Sequence, residues 1–265
     1  MNLTYQSLLH AVASLRGPLD AIEPTAPGVR YRAITGRGRP QLADCYVPRA
    51  PTGASVILIH GGAFLFGSRR MKPVRFVASK LCGAGIAVCA IDYRLIFRGG
   101  RLAEALDDVS AAVAFWQERS VWLGLDPARI SVAGFSAGAT LAMLAASREP
   151  AIARVVGCFG LYDVDHLRGR VAELLPRLLL RSPHRPHWEE RLPARASHSP
   201  TPTLLLHGTG DGVVPVDQSR RLAAAREERG FPTRLVIYPD APHGFFNVPS
   251  AARDEGVREI IEFVG

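Results

Sequence analysis

Ile130-Ser131-Val132-Ala133-Gly134-Phe135-Ser136-Ala137-Gly138-Ala139-Thr140-Leu141-Ala142-Met143-Leu144-Ala145-Ala146-Ser147 sets a short apolar run before a G-x-S-x-G pentapeptide and a helix-like segment after it. A nucleophile elbow needs this strand-turn-helix order. The glycines leave room for a sharp, strained turn, and the turn lifts the serine Oγ above a sheet. A helix starting at Ser136 also offers unpaired backbone N–H groups and the positive end of its dipole to a developing oxyanion. Ser136 is therefore the candidate nucleophile.

Outward from the elbow, apolar β-branched runs alternate with amphipathic segments. The runs are Ser55–His60, Ile86–Asp92, Ile130–Gly134, Val155–Phe159, Thr203–His207 and Thr233–Tyr238. Most are apolar throughout, as parallel strands covered on both faces must be. Leu102, Ala105, Leu106, Val109, Ala112, Val113 and Trp116 recur at three- and four-residue steps, which lays one apolar stripe along a helix. Val216 to Arg229 and Ala251 to Val264 carry similar patterns. The alternation predicts an α/β fold, with a mostly parallel central sheet, helices on both faces and a ligand site at the carboxyl ends of the strands. A chain of 265 residues fits a single domain, 1–265. Two stretches stand outside the rhythm. Residues 1–50 form an N-terminal segment, the stretch from Gly17 to Pro51 is rich in Pro and Gly turns, and the part before Gln41 is a candidate to fold over the site. Asp163 to Pro202 (163–202) gathers prolines and histidines around a short helical patch, Val171 to Leu180, and reads as a small cap-like insertion.

Three more motifs sit at strand ends. His60-Gly61-Gly62-Ala63-Phe64 closes a strand upstream of the serine, where a first oxyanion donor is expected. His207-Gly208-Thr209-Gly210-Asp211-Gly212-Val213-Val214-Pro215 follows another strand, and Asp211 has the chain position to orient an imidazole. Asp163 and Asp165 are rival acids, because a carboxylate after the preceding strand can do the same work; Asp217 reads as a helix-start residue. Pro242-His243-Gly244-Phe245 follows the last strand and supplies the candidate general base, His243. The chain order is Ser, Asp, His.

In register, these motifs resemble the carboxylesterase branch of the α/β-hydrolases, the hormone-sensitive-lipase-like and bacterial feruloyl- or acetyl-esterase-like relatives, over roughly residues 50 to 265. The resemblance implies the α/β-hydrolase fold and an oxyanion hole built from the backbone N–H groups of Gly62, Ala63 and Ala137. It gives His60 a bracing role in that loop. Asp92-Tyr93-Arg94-Leu95 resembles the family's DYRL segment, but the continuation Ile96 to Arg101 lacks the usual A-P-E, so this loop departs from the family's pattern.

Composition narrows the function classes. Apolar residues make up 48% and charged residues 21%, which excludes a disordered chain. The net charge of +8 invites a nucleic-acid reading, but a binding surface would cluster its arginines with interleaved aromatics. Pairs such as Arg69–Arg70 and Arg220–Arg221 sit among acids and turns instead, and read as solvated surface. Cys45, Cys82, Cys89 and Cys158 lie in or beside apolar runs, as buried thiols of a reducing compartment do. His184 and His187 lack companion ligands at metal spacing, so no metal and no cofactor is expected. The first residues show no basic leader or cleavage pattern, and no segment reaches membrane-spanning length. The expectation is a cytoplasmic monomer or homodimer with no nucleic-acid or membrane partner.

The function expected is a serine carboxylesterase that cleaves small, short-acyl carboxylic esters through an acyl-enzyme. The same triad also serves amide, formamide or lactone hydrolysis and acyl transfer. From another class comes a binding protein on an inactive hydrolase scaffold, against which the complete set of serine, acid and histidine argues.

Overall fold

Every residue of Ser55–Ile59, Ala87–Ile91 and Ile130–Phe135 is buried, which places these runs in the middle of a sheet and not at its edge. The computed structural model describes residues 21–32, 40–163, 177–180, 192–193 and 199–265. Its strands are β1 (Ala26–Arg32), β2 (Gln41–Tyr46), β3 (Ser55–Ile59), β4 (Ala87–Ile91), β5 (Ile130–Phe135), β6 (Ile152–Cys158), β7 (Thr203–Gly208) and β8 (Thr233–Tyr238). Among the described residues they form one sheet, in the order β1-β2-β4-β3-β5-β6-β7-β8. It is parallel from β4 to β8, and β1 and β2 pair antiparallel. The chain leaves β3 for β4 on one side and comes back to β5 on the other. That reversal opens a crevice at the carboxyl ends of β3 and β5, where Ile59 and Gly134 are register partners.

The helices are α1 (Lys72–Gly83), α2 (Leu102–Trp122), α3 (Ala137–Ala146), α4 (Asp217–Glu227) and α5 (Ala251–Val264). Successive β3 side chains point to opposite faces, so Ile57 and Ile59 join one core layer and Val56 and Leu58 the other. The first layer takes Val109 and Trp116 of α2, Leu141 of α3 and Leu222 of α4. Val77 and Leu81 of α1 pack with Val257 and Ile260 of α5 in the second. Each fully buried Val, Leu or Ile stabilises the fold by about 1.5–3 kcal/mol. All ten residues of α3 are buried, which is why its sequence is apolar all round.

The six predicted runs match β3 to β8 within three residues at each end, and the predicted helices match α2, α4 and α5. Two strands lie in the N-terminal segment that sequence reading assigns to turns. β1 contains Pro27 and Gly28, is bulged and sits half exposed at the edge. Asp44 interrupts the apolar pattern of β2, but its carboxylate is paired: it accepts from Gly28 N–H at 2.7 Å and from Arg69 Nε at 2.8 Å. Helix α1 is likewise absent from the predicted elements, although Val74, Val77, Ala78 and Leu81 carry its stripe. Arg69 corrects the solvated-surface reading, because it is buried between Asp44 and Asp92. Arg70 beside it is exposed.

Within the predicted cap, residues 177–180 form a helical turn whose Leu179 and Leu180 join the first core layer. His184, His187, Asp165 and the remainder of that insertion, apart from Asp163, 192–193 and 199–202, lie outside the described residues. All four cysteines are buried. Among the described residues no helix is long and apolar enough to cross a membrane.

Candidate active site

β5 ends at Phe135 and α3 begins at Ala137, so Ser136 makes the turn alone. Its backbone sits at φ 53°, ψ −116°, a conformation that costs a residue with a Cβ about 1–3 kcal/mol. Donation from Ser136 N–H to the Cys158 carbonyl at 2.9 Å helps to hold it there. A Cβ on Gly138 would stand 2.3 Å from the Ile59 carbonyl oxygen and 2.6 Å from that of His60. Gly138→Ala must therefore push β3 away from the start of α3. We expect it to lower stability by about 3 kcal/mol, or roughly 6–12 °C in Tm. Thermal denaturation of the variant checks this, and an unchanged Tm would refute the close approach.

The loop after β8 brings His243 back over the sheet. His243 Nε2 lies 3.1 Å from Ser136 Oγ, and Nδ1 lies 2.7 Å from Asp211 Oδ2. The other oxygen of Asp211 accepts from the N–H groups of Val213 at 2.9 Å and Val214 at 2.7 Å. Burial pushes the Asp211 carboxyl up. The charge of His243 and hydrogen bonds from His207 and His243 outweigh burial and hold it well below the usual carboxylate range. An ionised carboxylate can only accept, so Nδ1 carries the proton and Nε2 faces the serine hydroxyl as an acceptor. This arrangement can take the proton from Ser136 as its oxygen attacks a carbonyl.

Gly62, Ala63 and Phe64 all take positive φ, at 114°, 52° and 63°. The Gly62 carbonyl accepts from Leu65 and Phe66 N–H at 2.9 and 3.1 Å, a turn so tight that a Cβ at Gly62 would lie 2.0 Å from the Phe66 carbonyl oxygen. The N–H groups of Gly62 and Ala63 meet no acceptor among the described residues, nor does that of Ala137 at the open end of α3. The DYRL segment supports this loop. Tyr93 stacks on His60 with centroids 4.3 Å apart and donates its hydroxyl to the His60 carbonyl at 3.3 Å. Ile96 N–H reaches the Phe64 carbonyl at 2.9 Å, and Arg69 N–H reaches Asp92 Oδ1 at 2.7 Å.

The structure brings Ser136, Asp211 and His243 into one hydrogen-bonded line. Gly62 and Ala63 share a cavity with Ser136 and His243. It does not bring Asp163 there: that carboxylate is held by Arg221 at 2.7 Å and by the Gln218 amide at 3.1 Å. Asp217 stands in the first turn of α4.

Three neighbours of the site escape sequence reading. Phe159, just past β6 at φ 42°, packs edge-on against His243 with centroids 5.0 Å apart; a bulky residue at positive φ cannot be recognised from sequence. Asn247 lines the cavity four residues after His243. His207 lies inside the acid motif and touches Asp211, a contact signalled only by its four-residue spacing. The cavity measures about 100 Å³ and is walled mainly by Phe66, Met71, Pro73, Phe135 and Phe159.

The model of the BD-FAE family matches residues 43–225 of the chain. The chain is 27% identical over 251 residues to the probable isoprenylcysteine alpha-carbonyl methylesterase ICME of Oryza sativa subsp. japonica, covering 83% of this chain and 60% of that protein. It is 29% identical over 247 residues to esterase LipC of Mycobacterium tuberculosis, covering 82% and 60%. The chain thus spans about 60% of the length of these curated relatives. Among solved structures, a truncated carbohydrate esterase from gut microbiota superimposes with a TM-score of 0.79 at 21% identity, covering 94% of this chain and 98% of that one. That likeness shows a shared α/β-hydrolase fold. The family match extends from β2 through the elbow and the acid loop into α4, and on it the chain belongs to the BD-FAE family, within the carboxylesterase branch of the α/β-hydrolases.

Proposed function

We propose that the chain is a serine carboxylesterase that hydrolyses small, short-acyl esters. The observation that carries this reading is the line Ser136 Oγ, His243 Nε2, His243 Nδ1, Asp211 Oδ2, with contacts of 3.1 and 2.7 Å. His243 takes the hydroxyl proton as Oγ bonds to the ester carbonyl carbon, and the N–H groups of Gly62, Ala63 and Ala137 receive the oxyanion. The C–O bond to the alcohol then breaks, and His243 returns the proton to the leaving oxygen. Water enters by the same steps in reverse, with His243 as its base, and releases the acid and the free serine.

The cavity supports the short-acyl part. An apolar cavity of about 150 Å³ takes a benzene ring, whereas about 100 Å³ is available here beside Ser136. The names of the relatives, a methylesterase and an esterase, agree with ester substrates. A panel of p-nitrophenyl esters tests the reading. We expect kcat/KM for the acetate and butyrate to exceed that for the decanoate by at least about tenfold, the penalty of roughly 1.4 kcal/mol for a chain the walls cannot enclose. Higher kcat/KM for N-formylkynurenine or an aminopeptidase substrate than for any ester would replace esters with amides.

A further inference from the structure

We propose that His207 is a positioning residue of this site, one that holds the Asp211 oxygen used by His243 and so sets the charge that His243 faces. The inference rests on the esterase reading. His207 stands on β7 and is completely buried. Its Nε2 lies 3.0 Å from the Val214 carbonyl and 3.2 Å from Asp211 Oδ2, and its Nδ1 lies 2.7 Å from Ser219 Oγ on α4. A carbonyl can only accept, so Nε2 must carry the hydrogen, which it shares between Val214 and Asp211. In the neutral ring Nδ1 is then the acceptor, and the Ser219 hydroxyl donates to it. Both ring nitrogens are thereby engaged, and the ring is held in place.

Two imidazoles consequently share Oδ2 of Asp211, His243 at 2.7 Å and His207 at 3.2 Å, while Oδ1 is occupied by two backbone N–H groups. The carboxylate cannot rotate without breaking several of these bonds. Donation from His207 also draws electron density from the oxygen that stabilises the His243 imidazolium. Among the described residues, the titratable groups facing Asp211 are His207 and His243. His243 is bonded to Asp211 and Ser136 and packs on the uncharged Phe159 ring. The Tyr162 phenol next to Ser219 is kept protonated by burial and adds no charge.

Without the His207 donor, Oδ2 is more basic, the imidazolium of His243 is favoured, and more alkaline conditions are needed to free Nε2. The test measures kcat, KM and the rate of fluorophosphonate labelling at Ser136, between about pH 5 and 9. The proteins are the wild type, His207→Phe, His207→Gln and Ser219→Ala. For His207→Phe, kcat for p-nitrophenyl acetate should fall about tenfold with little change in KM. The midpoint of its acid limb should move up by about half a pH unit, a threefold change in the protonation equilibrium. His207→Gln places an amide N–H2 near Nε2 and should restore the wild-type midpoint. Ser219→Ala removes only the hydroxyl that fixes the tautomer, and should shift the midpoint in the same direction by less.

A purely structural histidine would lower folded yield or rate without moving the midpoint, so an unmoved midpoint in His207→Phe overturns the proposal. If that variant does not fold, a wild-type profile in Ser219→Ala overturns it. Wild-type protein that neither turns over esters nor labels would sink the esterase reading and the role of His207 with it. A working wild type with unshifted variants would sink this inference alone.

Discussion

Ser136→Ala is expected to lose about 10⁵ to 10⁶ of kcat for any ester the wild type cleaves, and all covalent labelling by a fluorophosphonate. His243 would still present an acceptor nitrogen, and the N–H groups of Gly62, Ala63 and Ala137 would still face an oxyanion, so the residual rate measures what these parts contribute without an attacking oxygen. Stability should hardly change. The turn is kept by the Ser136 N–H bond to Cys158 and by the close approach of Gly138 to β3, neither of which uses the hydroxyl. Alanine bears the positive φ at the same cost as serine. Covalent labelling retained by the variant, or turnover within tenfold of wild type, would remove Ser136 from the mechanism.

The elbow was legible because its requirements are local. Gly134 and Gly138 give the spacing, the run before them is β-branched, and the helix after them begins without a break. Strands β3 to β8 were legible for a related reason, since parallel strands buried on both faces must be apolar throughout. β1 and β2 lacked that signature. They pair antiparallel at an edge, and Asp44 is tolerated inside β2 only because Arg69 and Gly28, distant in sequence, satisfy it. Arg69 was misread for the same reason, since its partners Asp44 and Asp92 come from two other elements. Asp211 and Asp163 illustrate what sequence leaves open. Both follow strands, and only the fold shows one bonded to His243 and the other closed off by Arg221 and Gln218.

Asp211→Asn separates geometry from charge more sharply than any other change at this site. An asparagine fits the same space, and its two ends are not equivalent. The backbone N–H groups of Val213 and Val214 need an acceptor, so the amide oxygen must take the place of Oδ1. The amide N–H2 then occupies the place of Oδ2, where it meets His243 Nδ1 and His207 Nε2. A donor at that point forces His243 to accept at Nδ1 and to carry its hydrogen on Nε2, the nitrogen that receives the Ser136 proton in the proposed mechanism. The expected result is a loss of about 10⁴ in kcat near neutral pH with the fold intact. Because the wrong tautomer is the cause, the rate should recover in part under alkaline conditions, where hydroxide can take the serine proton without the imidazole. The acid side of the stability curve should change too. The folded carboxyl is held below its usual value, so the contribution of Asp211 is present above about pH 4, the ordinary range for aspartate, and is lost as pH falls through the lower folded value. The substituted amide cannot titrate, so the variant's Tm should depend less steeply on pH in that range. A kcat within tenfold of the wild type would mean that Asp211 is not the group that orients His243, and a Tm slope equal to that of the wild type would mean that its folded carboxyl is not held low.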